Sequence, residues 1–105
     1  MARFDVYHNP GKNNAAIPYV LEVQSNVISG LATRVVIPLR ALAGFAALDL
    51  PADLFPTLTI AGVDCFLDTP QLGAIPAKEL KTKVGAVHEY QGQVQAALDR
   101  VFGTY

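Results

Sequence analysis

Two neighbouring segments place the strongest limits on what this chain can fold into. Residues 19–25 alternate apolar with mostly polar side chains, which predicts a β-strand. Residues 33–39 are apolar on both faces at Val35, Val36 and Ile37, so both faces of this strand should be covered. Pro38 has no amide hydrogen to donate and predicts a strand end or a bulge. The two segments therefore predict the centre of a small β-domain.

Further strands are predicted on either side of this centre. They cover residues 2–7, 57–60, 63–68 and about 74–84. In the first of them Phe4 and Val6 should face one side and the polar residues the other. Ala61-Gly62 separates two alternating runs and predicts a hairpin turn. Residues 40–55 fit either a short helix or a compact loop, since Gly44 weakens the helical pattern.

The last segment changes its period. Apolar residues recur there at three- and four-residue spacing, which predicts one face of a helix from about residue 88 to 102. Glu89 in its first turn and Arg100 in its last turn both complement the helix dipole, and Gly103 follows as a stop. The predicted fold is mainly β with one C-terminal α-helix, in a single domain spanning residues 1–105.

Composition narrows the classes of function. Hydrophobic residues make up 51% of the 105 residues and charged residues 16%, so an apolar subunit interface is expected. The formal net charge of −1 offers no basic field, so we expect no direct binding of nucleic acid. Three clustered lysines, Lys78, Lys81 and Lys83, are interpreted as a solvated strand edge.

Cysteine use and the amino-terminal residues predict a cytoplasmic protein. With Cys65 alone no internal disulfide can form, and the first residues lack the apolar run of a signal peptide. No apolar stretch is long enough to predict a membrane span. Cys65 is expected to be a buried packing thiol, on the inward face of its strand beside Val63 and Leu67. No phosphate-loop motif and no metal-ligand spacing is present, so neither a cofactor nor a metal is predicted.

Two sets of residues are candidates for catalysis. Asp64 and Asp68, four residues apart on a predicted strand, are interpreted as part of a solvated face. Arg3, Arg34 and His8 could together supply a general base and cations for metal-independent cleavage of RNA, although no spacing rule brings them together. No catalytic residue is therefore predicted.

Read together, several segments resemble the CcdB family of plasmid- and chromosome-encoded toxins. The resemblance rests on Phe4-Asp5-Val6-Tyr7, Val23-Gln24-Ser25-Asn26-Val27-Ile28, residues 33–39, Phe55-Pro56-Thr57-Leu58-Thr59-Ile60, Ala74-Ile75-Pro76 and the terminal helix. It implies a strongly bent antiparallel sheet of SH3-like barrel type, as in the CcdB and Kid toxins, with one helix. It also implies a homodimer without enzymatic activity.

The resemblance further implies two partners. Members of this family bind the A subunit of DNA gyrase and trap the enzyme on cleaved DNA, and a CcdA-type antitoxin reverses this. The family's gyrase contact is a C-terminal aromatic-glycine-aliphatic triplet. This chain offers Gly103-Thr104-Tyr105 in one register and Phe102-Gly103 in the other, and neither preserves the triplet. Val27 and Ile28 match a second contact patch of the family, or are ordinary sheet residues.

Two alternatives stay open. A ribonuclease toxin of the MazF/Kid type would share the barrel architecture, because fold alone does not choose between these activities. A homologue that binds an antitoxin but no longer poisons gyrase would fit the altered C-terminal triplet.

Overall fold

The structure, a computed structural model, describes residues 2–26, 30–45 and 50–103, with residues 44 and 45 as backbone only. Its strands are β1 (Asp5–His8), β2 (Tyr19–Glu22), β3 (Thr33–Ala41), β4 (Thr57–Ile60), β5 (Val63–Leu67), β6 (Gly73–Pro76) and β7 (Lys83–Ala86). One α-helix, α1 (Gln91–Phe102), ends the described chain. Short 3₁₀ helices cover Leu42–Phe45, Thr69–Gln71, Ala77–Glu79 and His88–Tyr90. The prediction of a mainly β fold with one C-terminal helix is confirmed.

The strands form one antiparallel sheet around β3. The order is β4-β5-β3-β2-β1-β7, and β6 pairs with the first half of β3. Because β3 is nine residues long, it can pair with β6 and then β5 along one side and with β2 along the other. Residues of both edge strands, β4 and β7, line a common cavity of about 220 Å³. The sheet is therefore bent into a half-barrel, as predicted.

The first face of the sheet carries the main core. Alternate residues of the strands point to this side and pack together with Val94 and Leu98 of α1. Leu21, Ile37 and Leu39 are fully buried in this cluster. The helical periodicity is confirmed, since α1 buries Val94, Ala97 and Leu98 against the sheet. The predicted first turn at residues 88–90 is a 3₁₀ helix.

The second face of the sheet is also covered. Tyr7, Val20 and Val36 form a second buried cluster with Leu80, which lies in the connection between β6 and β7. The charged residues Asp5, Glu22 and Arg34 are buried on this face as well. The prediction that residues 2–7 form a half-buried strand is therefore wrong, because Asp5 and Tyr7 are buried, whereas the prediction that both faces of residues 33–39 are covered is confirmed.

The β4–β5 hairpin is confirmed with the predicted turn. Ala61 and Gly62 both have positive φ, 50° and 80°. Two positive values in a two-residue connection are typical of a type I′ turn, whose twist matches that of the flanking strands. The turn thereby fixes the register that pairs Ile60 with Val63 and Leu58 with Cys65.

Two predicted boundaries are wrong. Residues 74–84 do not form one strand, because β6 ends at Pro76 and a 3₁₀ helix intervenes before β7 pairs with β1 on the far side of the sheet. Pro38 marks neither a strand end nor a bulge against β2, since β3 continues to Ala41 and the β2–β3 register runs through Pro38 without a shift. Pro38 lies between the part of β3 that pairs with β6 and the part that pairs with β5, and its carbonyl accepts from the amide of Asp68 at 3.0 Å. Among the described residues, no helix is long and apolar enough to span a membrane.

Because Val36 is buried on the second face of the sheet, Val36→Asp should strongly destabilise the protein. Val36 is 5% exposed and lies opposite Glu22 in the β2–β3 register, so the new carboxylate would be buried beside an existing one. We expect a loss of more than about 3 kcal/mol in the free energy of unfolding, measured by urea denaturation. Val63→Asp is the matched control, because Val63 is 38% exposed and its change should cost under about 1 kcal/mol. Equal midpoints for the two variants would contradict the two-faced core.

Candidate functional site

The carboxyl end of α1 presents an aromatic side chain to solvent. Phe102 is the last residue of the helix and is 66% exposed. Gly103 follows in the left-handed conformation, with φ 66°, and its amide donates to the carbonyl of Asp99 at 2.9 Å. Because a residue without Cβ adopts this conformation without strain, Gly103 ends the helix cleanly. Phe102 is therefore not a core residue at the helix end, which is the ordinary alternative to a contact role for an apolar residue in this position.

The remaining predicted contact residues lie outside the described part of the chain. These are Val27, Ile28, Thr104 and Tyr105. Their assignment as gyrase-binding residues stays a prediction. Asn26, which directly precedes Val27, is described and exposed.

Arg3 bridges the segment before residue 27 and the terminal helix. Its Nε donates to the carbonyl of Val23 at 3.0 Å, and its Nη2 donates to Oε1 of Gln95 at 2.8 Å. Its backbone amide donates to Oδ1 of Asn26 at 2.8 Å. The guanidinium carbon lies 4.8 Å from the centre of the Phe4 ring, within the range of a cation–π contact. Sequence reasoning missed this role, because no spacing pattern relates residue 3 to residue 95.

The structure does not bring Arg3, Arg34 and His8 together. His8 pairs with Tyr19, which pairs with Leu39, whereas Arg34 lies five residues before Leu39 in β3. At about 3.3 Å per residue, Arg34 is therefore about 17 Å along the strand direction from the cross-strand row that contains His8. Arg3 is bonded to the helix on the first face, while Arg34 is buried on the second.

His8 itself lies at the other end of β1 from residue 3. It is exposed, with its ring centre 5.6 Å from that of Tyr19. It lines an open depression of about 260 Å³ together with Glu79 and Lys81. Arg3, Arg34 and His8 therefore do not form the convergent set of side chains that RNA cleavage would need in this chain.

A buried polar cluster occupies the second face of the sheet. Nε of Arg34 lies 3.8 Å from Oε2 of Glu22, and both side chains are almost fully buried. Burial raises the pKa of the Glu22 carboxyl, while the charge of Arg34 acts in the opposite direction. Burial also raises the pKa of Tyr7, as do the nearby carboxylates of Asp5 and Glu22.

This cluster is inaccessible to a substrate. Glu22 is 1% exposed and Arg34 is 6% exposed. The Glu22–Arg34 pair is therefore closed off from any molecule bound at the protein surface. Sequence reasoning missed it because Glu22 alternates with apolar neighbours, which is also the pattern of a strand with one polar face.

The other acidic and basic candidates are accounted for locally. Asp64 is exposed and accepts from the hydroxyl of Thr59 at 2.8 Å. Asp68 is 9% exposed and pairs with Nε of Arg40 at 2.6 Å, so its assignment to a solvated face is wrong.

Lys83 lies on the edge strand β7, as predicted, and its Nζ is 3.2 Å from Oδ1 of Asp5. The other two lysines of the group are exposed but lie outside the strands: Lys78 and Lys81. In the described ranges no three His, Cys, Asp or Glu side chains are grouped so as to hold a metal ion.

Cys65 is fully buried in the main core, as predicted, although its strand neighbour Val63 is partly exposed. Burial, and to a smaller extent the charge of Asp64, raises the pKa of the Cys65 thiol from 9.0 to about 11. Since the thiolate is the nucleophile, the thiol is unreactive in the native protein at neutral pH.

The raised pKa of Cys65 predicts a loss of stability in alkali. Between pH 9 and pH 11 the unfolded thiol releases its proton while the native thiol retains it, so stability falls as the pH rises. The contribution reaches about 2–3 kcal/mol at the upper end of this window. Urea denaturation of the wild type and of Cys65→Ala, across this window, measures it as the difference in their pH dependence. Parallel pH profiles for the two proteins would contradict the prediction.

Comparisons with known proteins give a family and a fold. The family model described as CcdB protein matches residues 3–103. A mycobacterial endoribonuclease solved in complex with its cognate antitoxin superposes with a TM-score of 0.78 at 14% identity, over 100% of this chain and 97% of that chain. A second mycobacterial endoribonuclease gives 0.71 at 15% identity, over 98% and 91% of the two chains.

The toxin MazF-mt6 of Mycobacterium tuberculosis superposes with a TM-score of 0.65 at 13% identity. The likeness covers 81% of this chain and 85% of that one. At these identities the solved structures establish a shared fold. No match is found among curated proteins.

Proposed function

Because the chain belongs to the CcdB family, we propose that it is the toxin of a toxin–antitoxin system that poisons DNA gyrase. It binds the gyrase A subunit and traps the complex with cleaved DNA, and a CcdA-type antitoxin neutralises it. It acts in the cytoplasm as a homodimer and makes or breaks no covalent bond. The observation that carries this proposal is the exposed Phe102-Gly103 end of α1 in a chain that matches the family throughout.

The helix end has the physical properties that such a contact needs. An aromatic ring that is two-thirds exposed in the free protein can gain about 1.5–3 kcal/mol when it is buried in a partner. The ring is carried by a helix packed on the sheet through Val94, Ala97 and Leu98, so little ordering is required on binding. Of the two alignments that the sequence allows, this geometry favours the one with Phe102 as the aromatic and Gly103 as the glycine of the family triplet.

Poisoning an enzyme requires no catalytic group in the poison. A protein that binds one state of a target better than the others shifts the target toward that state. Stabilising a cleaved complex therefore needs complementarity to that complex. A two-fold toxin would also match the two-fold symmetry of a dimeric target.

The exposed end of α1 predicts that a mutation there can remove gyrase inhibition without changing the stability of the fold. Purified gyrase should lose supercoiling activity and accumulate cleaved complexes in the presence of the wild-type protein. Phe102→Ala should weaken this inhibition by about 30-fold or more, the size expected for a central aromatic contact. Its midpoint of urea denaturation should stay close to that of the wild type, because the ring is exposed.

Val63→Ala is the matched control, since Val63 is also an exposed apolar residue but lies on β5. Deletion of residues 103–105 should abolish inhibition and preserve the fold. Inhibition that survives both the deletion and Phe102→Ala would place the contact elsewhere. A wild-type protein that binds a CcdA-type antitoxin but never inhibits gyrase would support the homologue that has lost poisoning.

An antitoxin partner is supported by both comparisons. The chain matches the CcdB family, whose resemblance implies a CcdA-type antitoxin, and the endoribonuclease of the same fold was solved in complex with its cognate antitoxin. Co-expression with the acidic product of a neighbouring reading frame would test the partner directly.

Cleavage of RNA is the second candidate function, favoured by the fold shared with the endoribonucleases. The separation of His8 from Arg34 and the burial of Arg34 argue against it. We expect a long RNA to stay intact on incubation with micromolar protein, as judged on a denaturing gel. Sequence-selective cleavage that is lost in Arg34→Gln or His8→Ala would reverse the order of the two candidates.

A further inference from the structure

The backbone of β4 is paired along one side only. Among the described strands it pairs with β5 and with no other. The two-residue turn makes Ile60 and Val63 a hydrogen-bonded pair, and bonded and non-bonded pairs alternate along an antiparallel ladder. The backbone groups of Leu58 and Ile60 therefore point toward β5. Those of Thr57 and Thr59 point the other way, to the free edge of β4.

A further hydrogen bond agrees with this alternation. The amide of Leu67 donates to the carbonyl of Pro56 at 2.9 Å, which is the next bonded position after Ile60 and Leu58. Within the described ranges, no hydrogen bond is seen to the outward amide or carbonyl groups of the two threonines. The free edge of β4 thus presents two donors and two acceptors.

Two cavities lie along this free edge. One of about 340 Å³ lies between Thr57 and the helix residues Gln93 and Ala96. The other, of about 220 Å³, lies between Thr59 and the opposite edge strand, where Ala86 forms part of the wall. The edge therefore borders a groove whose length is that of a four-residue strand, about 13 Å.

The free edge of β4 lacks the features that protect edge strands from pairing. Soluble proteins commonly guard such edges with lysine, proline or a bulge. Strand β7 has two of these, since it carries Lys83 and its register with β1 shifts between Val6 and Tyr7. Strand β4 reads Thr-Leu-Thr-Ile and keeps a regular register, and its β-branched residues favour pairing. It is therefore suited to accept another strand.

The charges of the groove favour a basic occupant. The charged residues that line the two cavities are Asp53 and Glu89, both acidic. Asp53 is paired with Arg100 at 2.8 Å, whereas in the described part of the chain no ion pair of Glu89 is seen. A second copy paired through β4 about a two-fold axis would bring Asp53 of one copy toward Glu89 of the other. Because like charges would meet there, a second copy is disfavoured.

We propose that the free edge of β4 binds an extended, basic peptide segment of a partner protein, which joins the sheet as an additional strand. The outward backbone groups of Thr57 and Thr59 exchange hydrogen bonds with the peptide, and Glu89 pairs with a lysine or arginine in it. Alternate side chains of the peptide enter the two cavities, so main-chain bonds supply affinity and the cavities supply specificity. The inference is independent of gyrase poisoning, since the surface does not include Phe102 or Gly103.

The experiment begins with a library of random peptides, each about seven residues long so that it covers the whole edge, displayed on phage and selected on the purified protein. The selected peptides should be rich in lysine or arginine and should alternate apolar with polar residues. On binding of a synthetic copy, the amide protons of Thr57 and Thr59 should exchange with solvent at least about tenfold more slowly, as measured by NMR. The amides of Leu58 and Ile60 should be protected before the peptide is added, because they are bonded to β5.

Matched variants separate strand addition from other modes of binding. Thr59→Pro removes the outward amide and no bond of the β4–β5 ladder, and it should weaken peptide binding by about tenfold or more. Thr59→Val is the control, since both changes remove the hydroxyl that bonds to Asp64 but valine keeps the amide, so its affinity should equal that of the wild type. Glu89→Gln should weaken binding of the basic peptides by about threefold.

N-methylated peptides test the same bonds on the wild-type protein, so the outcome does not depend on the folding of Thr59→Pro. Methylation of the peptide amides that face β4 should abolish binding, whereas methylation of the intervening amides should not. The proposal is overturned if no peptide is selected, if bound peptides leave the exchange of Thr57 and Thr59 unchanged, or if Thr59→Pro and Thr59→Val bind equally well. Protection of these two amides that grows with protein concentration, without peptide, would assign the edge to a second copy and would also overturn it.

Discussion

The pairing of β3 with three other strands is the constraint on which the rest of the structure depends. This strand bonds to β6 and β5 along one side and to β2 along the other, and both of its faces are buried. A strand shared in this way has to be long and apolar on both faces, as residues 33–39 are. Its position at the centre allows the sheet to bend until the two edge strands line one cavity. The helix then closes one face, and the connection that carries Leu80 covers part of the other.

Because both faces of one small sheet are covered, the apolar composition can be explained without a subunit interface. The expectation of a subunit interface rested on a surplus of hydrophobic residues, yet much of that surplus is used by two clusters within the chain. Among the described residues, the large exposed hydrophobic side chains are Leu31, Val63 and Phe102. A homodimer stays a prediction drawn from the family, and composition alone does not argue for it. Covering the second face also buries charged groups, which costs free energy: burial raises the pKa of Glu22 despite the nearby Arg34.

Local patterns predicted the elements whose signals are complete within a few residues. The hairpin turn at Ala61-Gly62 and the helix that begins near residue 88 are of this kind. Alternation predicted the strands but not the burial of Glu22, because an ion pair across the sheet depends on a residue twelve positions away. The prediction of one strand at residues 74–84 failed because pairing of β6 and β7 with different partners is set by topology rather than by local propensity. Of the candidate site, sequence identified Phe102 and Gly103 through the family resemblance, while the contacts of Arg3 required the folded chain.

The left-handed backbone at Phe4 has a practical consequence for anyone who handles this protein. The residues before it are bonded in place, since the amide of Ala2 donates to Oδ2 of Asp5 at 2.8 Å and Arg3 reaches the helix. An affinity tag or fluorophore fused before Ala2 would therefore disturb the contact of Arg3 with α1. The loop at residues 11–15 is exposed throughout and lies beyond the opposite end of β1 from Arg3. Labels inserted there would report on the protein while leaving the contacts of Ala2 and Arg3 intact.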